Sequence, residues 1–445
     1  MKLSGPPGTA LLFLGAVIVI FSRSFGNYFV CDDFEFLGRI DLHNAAKYFG
    51  QSWGYGNEYR PLLVYTYAVD GAISGRNPFE YHLVNTALHG INALLAALIF
   101  RYLGLQAMAV LLTACIFVLN PVTHESVLWI AGRPVILSTA FVLFSIWASL
   151  RAVTSNSAVL WWIAAYLSFI ASLLTYEGAV VLPALLLVAH CARIPREGVA
   201  HWRMHAFGLF LLVISYLVAW NLFFHFKITR FPVENSPLRG MLEIWTAMRH
   251  SLHGSSRTLP AALYGVLLVT LIRTKTGRRL FLVAGLWFLC AYLPFFIVHG
   301  YADRFAYLSS AASSAILGSA VVSVYSRWKA FGGVTGIALV VFFAFGMEGR
   351  IMVWKRAGEI ARRIPQEIKQ LHPHLPPDAT VILVNVPNTY RDAYVFLAGV
   401  ERAVMLQYPD TPLRVFRRPW KAAPNPVFMM DCSAEHVRDV QHPMY

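Results

Sequence analysis

Charged side chains are scarce in this sequence: Asp, Glu, Lys and Arg make up 13% of its 445 residues, where a soluble domain carries roughly 25%. The shortage is spread along most of the chain, so long stretches must face something other than water. Acidic residues are the scarcer sign, 23 against 37 Lys and Arg, which leaves a formal net charge of +14. That excess does not describe a nucleic-acid binder. The basic residues form no single stripe with interleaved aromatics; they sit mainly in short loops between apolar runs. Five cysteines show neither a disulfide framework nor zinc-site spacing. Cys115, Cys191 and Cys290 fall in or beside apolar runs, where a thiol is a small hydrophobe. Before residue 350 there is no Gly-rich phosphate loop opening a helix and no strand–helix alternation of a nucleotide-binding fold. Repeats of 20–50 residues are absent too. No small-residue cleavage site follows the apolar run 9–22, where the chain continues Ser-Phe-Gly-Asn-Tyr-Phe-Val, so this run reads as an uncleaved first span.

Apolar residues are what the sequence has in quantity: 57% of the total, with a mean hydropathy of +0.54. A bilayer core about 30 Å thick takes around 20 apolar residues per helix. Stretches of that kind recur at 9–22, 83–100, 105–120, 134–150, 158–176, 178–192, 206–225, 258–273, 280–298, 306–325 and 330–347. The fold class is therefore a polytopic α-helical membrane protein with about eleven transmembrane helices. Loop charge sets the orientation. Arg101, Arg151, Arg193, Arg196, Arg203, Arg273, Lys275, Arg278, Arg279, Arg327 and Lys329 fall on one side, expected to be cytoplasmic. The opposite short loops hold little more than Arg133 and Arg304; the loop 226–257 is the exception, with five basic residues.

With the N-terminus inside, two long segments lie outside: 23–82, and a tail, 348–445. The transmembrane domain is thus 1–347. An interfacial helix is expected around His43–Trp53. The tail opens with an amphipathic helix in which Ile360, Ile364, Ile368 and Leu371 share a face. A strand-like run, Thr380–Pro387, a helical stretch near Arg391–Gln407 and the basic segment Arg414–Trp420 complete a small α/β appendage of about a hundred residues, enough for a modest core. Cys31 and Cys432 fall in these two outer segments.

The polar residues of the spans and loops are few enough to consider singly. Asp32 and Asp33 stand within about ten residues of the first span, at a boundary where paired carboxylates repel and are costly to desolvate. They are a solvated helix cap, a general base for an acceptor hydroxyl, or part of a divalent-metal site. Glu58-Tyr59-Arg60-Pro61 follows. His82, Asn85 and His89 share one face of the second span and line either a polar cavity with metal ligands or a seam of interhelical hydrogen bonds. His124 and Glu125, with Arg133, occupy the next outer loop; Glu177 occupies the fifth-to-sixth turn; Asp303 and Arg304 precede the tenth span. All fall on the face of Asp32 and Asp33. Arginine suits a phosphate, because its planar fork donates paired hydrogen bonds. Together these groups read as a site for an anionic, lipid-tethered substrate.

The ordered set Asp-Asp, Tyr-Arg-Pro-Leu, Tyr-His-Leu-Val-Asn, Asn-Pro-Val-Thr-His-Glu-Ser-Val with Gly-Arg, and Asp-Arg-Phe-Ala-Tyr-Leu resembles the C-type membrane glycosyltransferases. Within these it is similar to the transmembrane O-mannosyltransferases targeting cadherins and their bacterial relatives. The resemblance covers roughly residues 20–315. It implies a polyprenyl-phosphate sugar as donor and inverting transfer outside the cytoplasm, on the periplasmic or lumenal side. It implies Asp33, or its neighbour Asp32, as base. His124 and Glu125 match the family's His-Glu, and Asp303, Arg304 and Phe305 match its Glu-Arg-Tyr with acid and aromatic both altered. Tyr176 stands where the family has a basic residue, and the helical-repeat tail of the animal enzymes has no counterpart. Donor-binding candidates are Arg60, His124, Glu125, Arg133, Asp303 and Arg304, with Arg304 preferred for the phosphate. The resemblance names no acceptor and no obligatory cofactor. A transporter or lipid flippase is the alternative, but such proteins show paired repeats, broken helices and polar groups at the bilayer midplane, whereas here the charges gather at one rim.

Overall fold

The structure is a computed structural model describing residues 7–53, 58–193, 199–224, 237–253, 261–298, 301–417, 427–433 and 436–440. The chain enters through α1 (Pro7–Phe21). Segment 22–60 is mostly irregular and holds two single-turn helices, α2 (Asp33–Phe36) and α3 (Leu42–Ala45). Asp41 and Asn44 start α3 with a reciprocal capping box. A 3-10 turn extends α3 only to Phe49, short of the helix expected to Trp53. Prolines begin α4 (Pro61–Ser74) and α5 (Pro78–Tyr102), at a position where the missing N–H has no helical partner to lose. The 14-residue α4 was not anticipated.

α6 (Ala107–Leu119) stops at Asn120-Pro121. The Asn120 side chain accepts from the Val122 N–H at 3.1 Å, and the chain bends by 48° into α7 (His124–Leu128). α8 (Arg133–Ala152), α9 (Ala158–Leu173), α10 (Leu182–Arg193) and α11 (Val199–Phe224) follow. Next come α12 (Pro237–His253), α13 (Ala261–Ile272), α14 (Lys275–Val298), α15 (Tyr307–Arg327) and the 43-residue α16 (Lys329–Leu371). Each apolar stretch expected to span falls largely on one of these helices. By length and composition six helices can cross a membrane, or seven if the bent α6–α7 pair counts as one. α12 lies in the basic loop 226–257, of which 226–236 and 254–257 are outside the described residues.

α8 and α15 form the centre: 78% and 89% of their apolar stretches are buried, against 17% for α11. The sequence of α15 explains its place. Ser309, Ser310, Ala311, Ala312, Ser313, Ser314 and Ala315 are all buried, and small side chains let helix backbones approach closely. At Gly318 an added Cβ would lie 2.9 Å from the Ala109 carbonyl of α6, so the contact requires glycine. α11 presents Phe207, Phe210, Leu222 and Phe223 outward, as a lipid-facing helix does.

α16 runs unbroken across position 347/348, so the tail continues from a span without a linker. Its outer half buries Ala357, Ala361, Ile364 and Ile368, while Leu371 is 45% exposed. The apolar stripe is thus shifted from the one the spacing suggested. Beyond it lies a four-stranded sheet of order β4-β1-β5-β6, made of β1 (Thr380–Val384), β4 (Arg414–Phe416), β5 (Val427–Asp431) and β6 (Arg438–Asp439), and a separate hairpin, β2 (Thr389–Tyr390) and β3 (Ala393–Tyr394). β1 pairs in parallel with β4 and β5, and its run Thr-Val-Ile-Leu-Val is correspondingly apolar. The stretch expected to be helical over Arg391–Gln407 is the end of that hairpin followed by a shorter helix, α17 (Val400–Met405). In the basic segment, Arg418 and Trp420 lie outside the described residues.

Candidate active site

The acidic pair sits where the tail clamps segment 22–60. Cys31 is held at φ 50°, a left-handed conformation that costs a non-glycine residue free energy. Two tail contacts hold it there: the Cys31 N–H donates to the Val395 carbonyl at 2.8 Å, and Gly399 packs so close to the Cys31 carbonyl that a Cβ would collide with it. The turn separates the two carboxylates. Asp33 is 1% exposed, and both oxygens are taken by backbone, Oδ2 by the Val30 N–H at 2.9 Å and Oδ1 by the Ala131 N–H at 2.8 Å. Burial raises its pKa well above the usual carboxylate range, with the two N–H groups opposing that rise. Asp32 is only half-buried. Its Oδ1 accepts a weak hydrogen bond from the Cys31 thiol at 3.6 Å, and Oδ2 has no partner among the described residues. Burial raises its pKa too, with the thiol, Arg304 and Arg60 lowering it in turn. Asp33 therefore staples the loop with both oxygens occupied, while Asp32 keeps one oxygen without a partner among the described residues.

The three candidate arginines separate in the same way. Arg133 is 0% exposed. It pairs with Asp70 at 2.5 Å and donates to Asn85 Oδ1 at 2.8 Å, the Tyr81 carbonyl at 3.0 Å and Thr66 Oγ1 at 3.3 Å. Each nitrogen of its fork thus has a protein partner, unlike those of Arg304. Arg60 grips Glu177 with two parallel hydrogen bonds, Nε to Oε2 at 2.9 Å and Nη2 to Oε1 at 2.5 Å, and its guanidinium lies over the Tyr176 ring. The aromatic at 176, where the resemblance expects a basic residue, thus packs against the neighbouring cation. Arg304 is 22% exposed at its side chain. Its Nη1 bonds Glu125 and Tyr394, and its backbone N–H donates to Glu125 Oε2 at 3.0 Å. Nη2 and Nε have no partner among the described residues. Its guanidinium lies over the rings of Trp129 and Phe305, 5.5 and 4.8 Å from their centroids, where cation–π attraction helps to hold it.

Asp303 faces away from this opening. It accepts from His124 Nε2 at 3.0 Å and His250 Nδ1 at 2.9 Å, and from the Tyr301 hydroxyl. These donors outweigh its burial and hold its carboxyl far below the usual range. The Trp354 indole N–H donates to His124 Nδ1 at 2.8 Å. Indole is only a donor, so His124 carries its proton on Nε2 and gives that hydrogen bond to Asp303. The cluster fixes the 3-10 turn Asp303–Ala306, and with it Arg304. No group of three or more His, Cys, Asp or Glu side chains is arranged to hold a metal ion among the described residues.

The polar stripe of α5 makes a seam of hydrogen bonds, although the buried His82 Nδ1 has no partner among the described residues. His82 Nε2 bonds the Asn27 carbonyl at 3.0 Å, and Asn85 donates to the Trp129 carbonyl at 3.2 Å. His89 bonds the Tyr307 hydroxyl at 2.7 Å and the Val118 carbonyl at 3.1 Å. All three are at most 2% exposed.

Four participants escaped the sequence reading. His250, Tyr301 and Trp354 were not singled out, since none carries a local signal of its own. Tyr394 comes from the tail: its hydroxyl donates to Glu125 Oε1 at 2.7 Å and accepts from Arg304 at 3.0 Å, and its ring lies 4.9 Å from that of Trp129. Arg350 of α16 pairs with Asp392 in the turn of the same hairpin.

No family model matches the chain. It is similar to the protein O-mannosyl-transferase TMTC1 of Homo sapiens, 30% identical over 158 residues, which are 32% of this chain and 18% of that protein. It is similar also to human protein O-mannosyl-transferase TMTC4, 33% identical over 167 residues, 32% of this chain and 22% of that protein. These matches span about a fifth of the relatives' length. Among solved structures, ArnT from Cupriavidus metallidurans bound to undecaprenyl phosphate shares the fold, with a TM-score of 0.56 at 14% identity, over 92% of this chain and 86% of that one. Its apo state gives 0.54 at 15% identity, covering 92% and 85%. The resemblance to C-type membrane glycosyltransferases, read from the loop motifs, is matched by both comparisons.

Proposed function

We propose that the protein is an inverting glycosyltransferase that moves a sugar from a polyprenyl phosphate to an acceptor hydroxyl at the rim formed by Asp32, Arg60 and Arg304. The observation that carries this reading is the contrast within one cluster: Arg304 is fixed by Glu125, Tyr394 and two rings, yet keeps Nη2 and Nε uncommitted beside the half-buried Asp32. A phosphate seated on that edge would put the anomeric carbon within reach of Asp32. As the acceptor oxygen attacks C1, its proton passes to Asp32, the bond from C1 to the phosphate oxygen breaks, and the electron pair leaves on the polyprenyl phosphate. One displacement inverts the anomeric centre. Arg304, with Arg60 behind it, stabilises the charge that grows on the leaving group, in surroundings of low dielectric where such stabilisation is large.

The donor's chain has a place to go. A groove of about 340 Å³ beside Arg60 is lined by Phe49, Tyr59, Tyr216, Trp220 and Phe223, between segment 22–60 and the outward-facing α11. Each CH₂ buried there contributes about 0.8 kcal/mol. The TMTC proteins are named as O-mannosyl-transferases, which makes mannose the first sugar to try; ArnT binds undecaprenyl phosphate, which supports the lipid carrier. The apolar runs favour about eleven spans, and the loop charges a cytoplasmic N-terminus and a rim outside the cytoplasm, in the bacterial inner membrane if the source is bacterial. The tail closes over this rim as part of the site.

The test is transfer by purified, reconstituted protein from polyprenyl-phosphate mannose and, separately, from a nucleotide sugar. Product from the lipid donor alone, with inverted anomeric configuration, is expected. Efficient transfer from the nucleotide sugar without any lipid donor would overturn the reading.

A further inference from the structure

At the other end of the bundle, away from Asp32, lies a cavity of about 660 Å³. We propose that it binds the phosphate headgroup of an anionic membrane lipid, at a site separate from the transferase rim. The cavity opens between the α5–α6 turn, the α13–α14 turn and the last turns of α15. α14 has 24 residues, which at 1.5 Å each span about 36 Å. With one end of α14 leading to Asp303, the other end stands at headgroup depth on the far side of a core about 30 Å thick.

The chemistry of the walls selects an anion. Lys275 and Arg279 line the cavity, and no acidic side chain does among the described residues. The N-terminus of α14 points its positive dipole end at the same space; Thr274 caps it, its Oγ1 accepting from the Gly277 N–H at 2.9 Å. Arg279 spends one Nη2 hydrogen bond on the Ala192 carbonyl at the end of α10, which anchors the guanidinium and leaves its other donors available. Across from these cations stands Ser319, 8% exposed, whose hydroxyl has no partner among the described residues. Its neighbours on α15 behave differently: Ser314 and Ser323 each return a hydrogen bond to the carbonyl four residues back. A buried hydroxyl without a partner is costly, and a ligand oxygen would satisfy it.

Leu103, Leu105, Leu280, Val283 and Val322 give the cavity an apolar portion as well, beside the polar Gln106, Thr276, Ser323 and Ser326. A small inorganic ion would gain nothing from that apolar portion, whereas a lipid would lay its glycerol and first acyl carbons along it. The site therefore fits an amphiphile with an anionic head.

Native mass spectrometry of the delipidated full chain in detergent tests this with phosphatidylglycerol and phosphatidylcholine of matched chains, and with glycerol phosphate as a soluble competitor. A basic residue at a membrane surface contributes roughly fivefold in affinity, so two should favour phosphatidylglycerol by about 25-fold. Lys275→Glu should remove most of that preference. Lys275 is exposed, so this change is not expected to disturb folding, and unchanged thermal unfolding without lipid checks that. Ser319→Leu, which fills the cavity, should lower binding of the same lipid. Equal binding of the two lipids, an unchanged preference in both variants, or displacement by glycerol phosphate at equal concentration would each overturn the proposal.

Discussion

Arg133 and Arg304 look alike in the sequence. Each opens or adjoins a central helix, α8 or α15, and each sits on the loop side that carries Asp32. The structure gives them opposite environments. Arg133 is wholly enclosed, its donors divided among Asp70, Asn85, Tyr81 and Thr66. Arg304 is anchored along one edge and uncommitted along the other. The acidic pair repeats the contrast one residue apart, with Asp33 filled by backbone donors and Asp32 half-open. A buried charge with a protein partner on each of its polar atoms holds loops together, while one that is held yet incompletely partnered is equipped to meet a ligand. The difference is in how many donors and acceptors remain, which residue type alone does not reveal.

The largest expected effect separates the two aspartates. Asp32→Asn should lower the transfer rate by roughly 10²–10⁴-fold while leaving the protein folded, because it removes the proton acceptor and keeps the shape. Asp33→Asn turns one acceptor oxygen into a donor facing an N–H group, so it should lower thermal stability first and activity as a consequence. The pH profile sharpens the point. Burial raises the Asp32 pKa, so the rate should fall, as pH drops, through an apparent value above the usual Asp value of about 3.9. Stability runs the other way for this group. A carboxyl whose folded pKa is raised binds protons more readily folded than unfolded, so its contribution to stability rises as pH falls through that value. Asp32→Asn should erase both trends, and a wild-type acid limb that survives in the mutant would assign it to another group.

Arg133→Ala comes next. Removing one partner of a buried ion pair costs about 3–5 kcal/mol, so poor expression or a much lowered unfolding temperature is expected; a well-folded variant with weakened donor affinity would reverse the assignment of Arg133 and Arg304. Arg304→Lys keeps the charge and loses the fork. The expected result is intact folding with transfer lowered by about tenfold or more, since a hydrogen bond to a charged group contributes roughly 1.5–3 kcal/mol. Tyr394→Phe is the smallest change. It removes one hydroxyl that bridges Glu125 and Arg304, and a rise of a few-fold in KM for the donor with little change in kcat is expected. No effect on either constant would make the tail hairpin a cover alone.

Much of this architecture was legible in the sequence. Runs of about 20 apolar residues have few alternatives to a membrane helix, so the helices fall where hydropathy placed them. That Asp32, Glu125 and Arg304 share one end of the bundle was expected from loop positions, and the resemblance supplied the order of their motifs. The polar stripe of α5 was ambiguous: His82, Asn85 and His89 at one-face spacing fit a cavity or a seam, and spacing does not reveal their partners, Asn27, Trp129, Val118 and Tyr307. α4 was missed because its polar and aromatic residues, among them Tyr65, Tyr67 and Asp70, dilute the apolar pattern. At the expected boundary, 347/348, charge enters α16 without ending the helix, so no break in the chain marks it. Trp354 and Tyr394 could not be found by spacing, since each reaches the site from more than 200 residues beyond His124 and Glu125, through a turn of the chain that only tertiary packing defines.

The account stands most directly on where a lipid phosphate binds. A cryo-EM structure of the protein with polyprenyl phosphate should show the phosphate about 3 Å from Arg304 Nη2 or Nε and close to Asp32, with the isoprenoid chain against Tyr216 and Trp220. A phosphate bound by Arg133, or one seated away from Arg304 with that edge of its guanidinium empty, would contradict it.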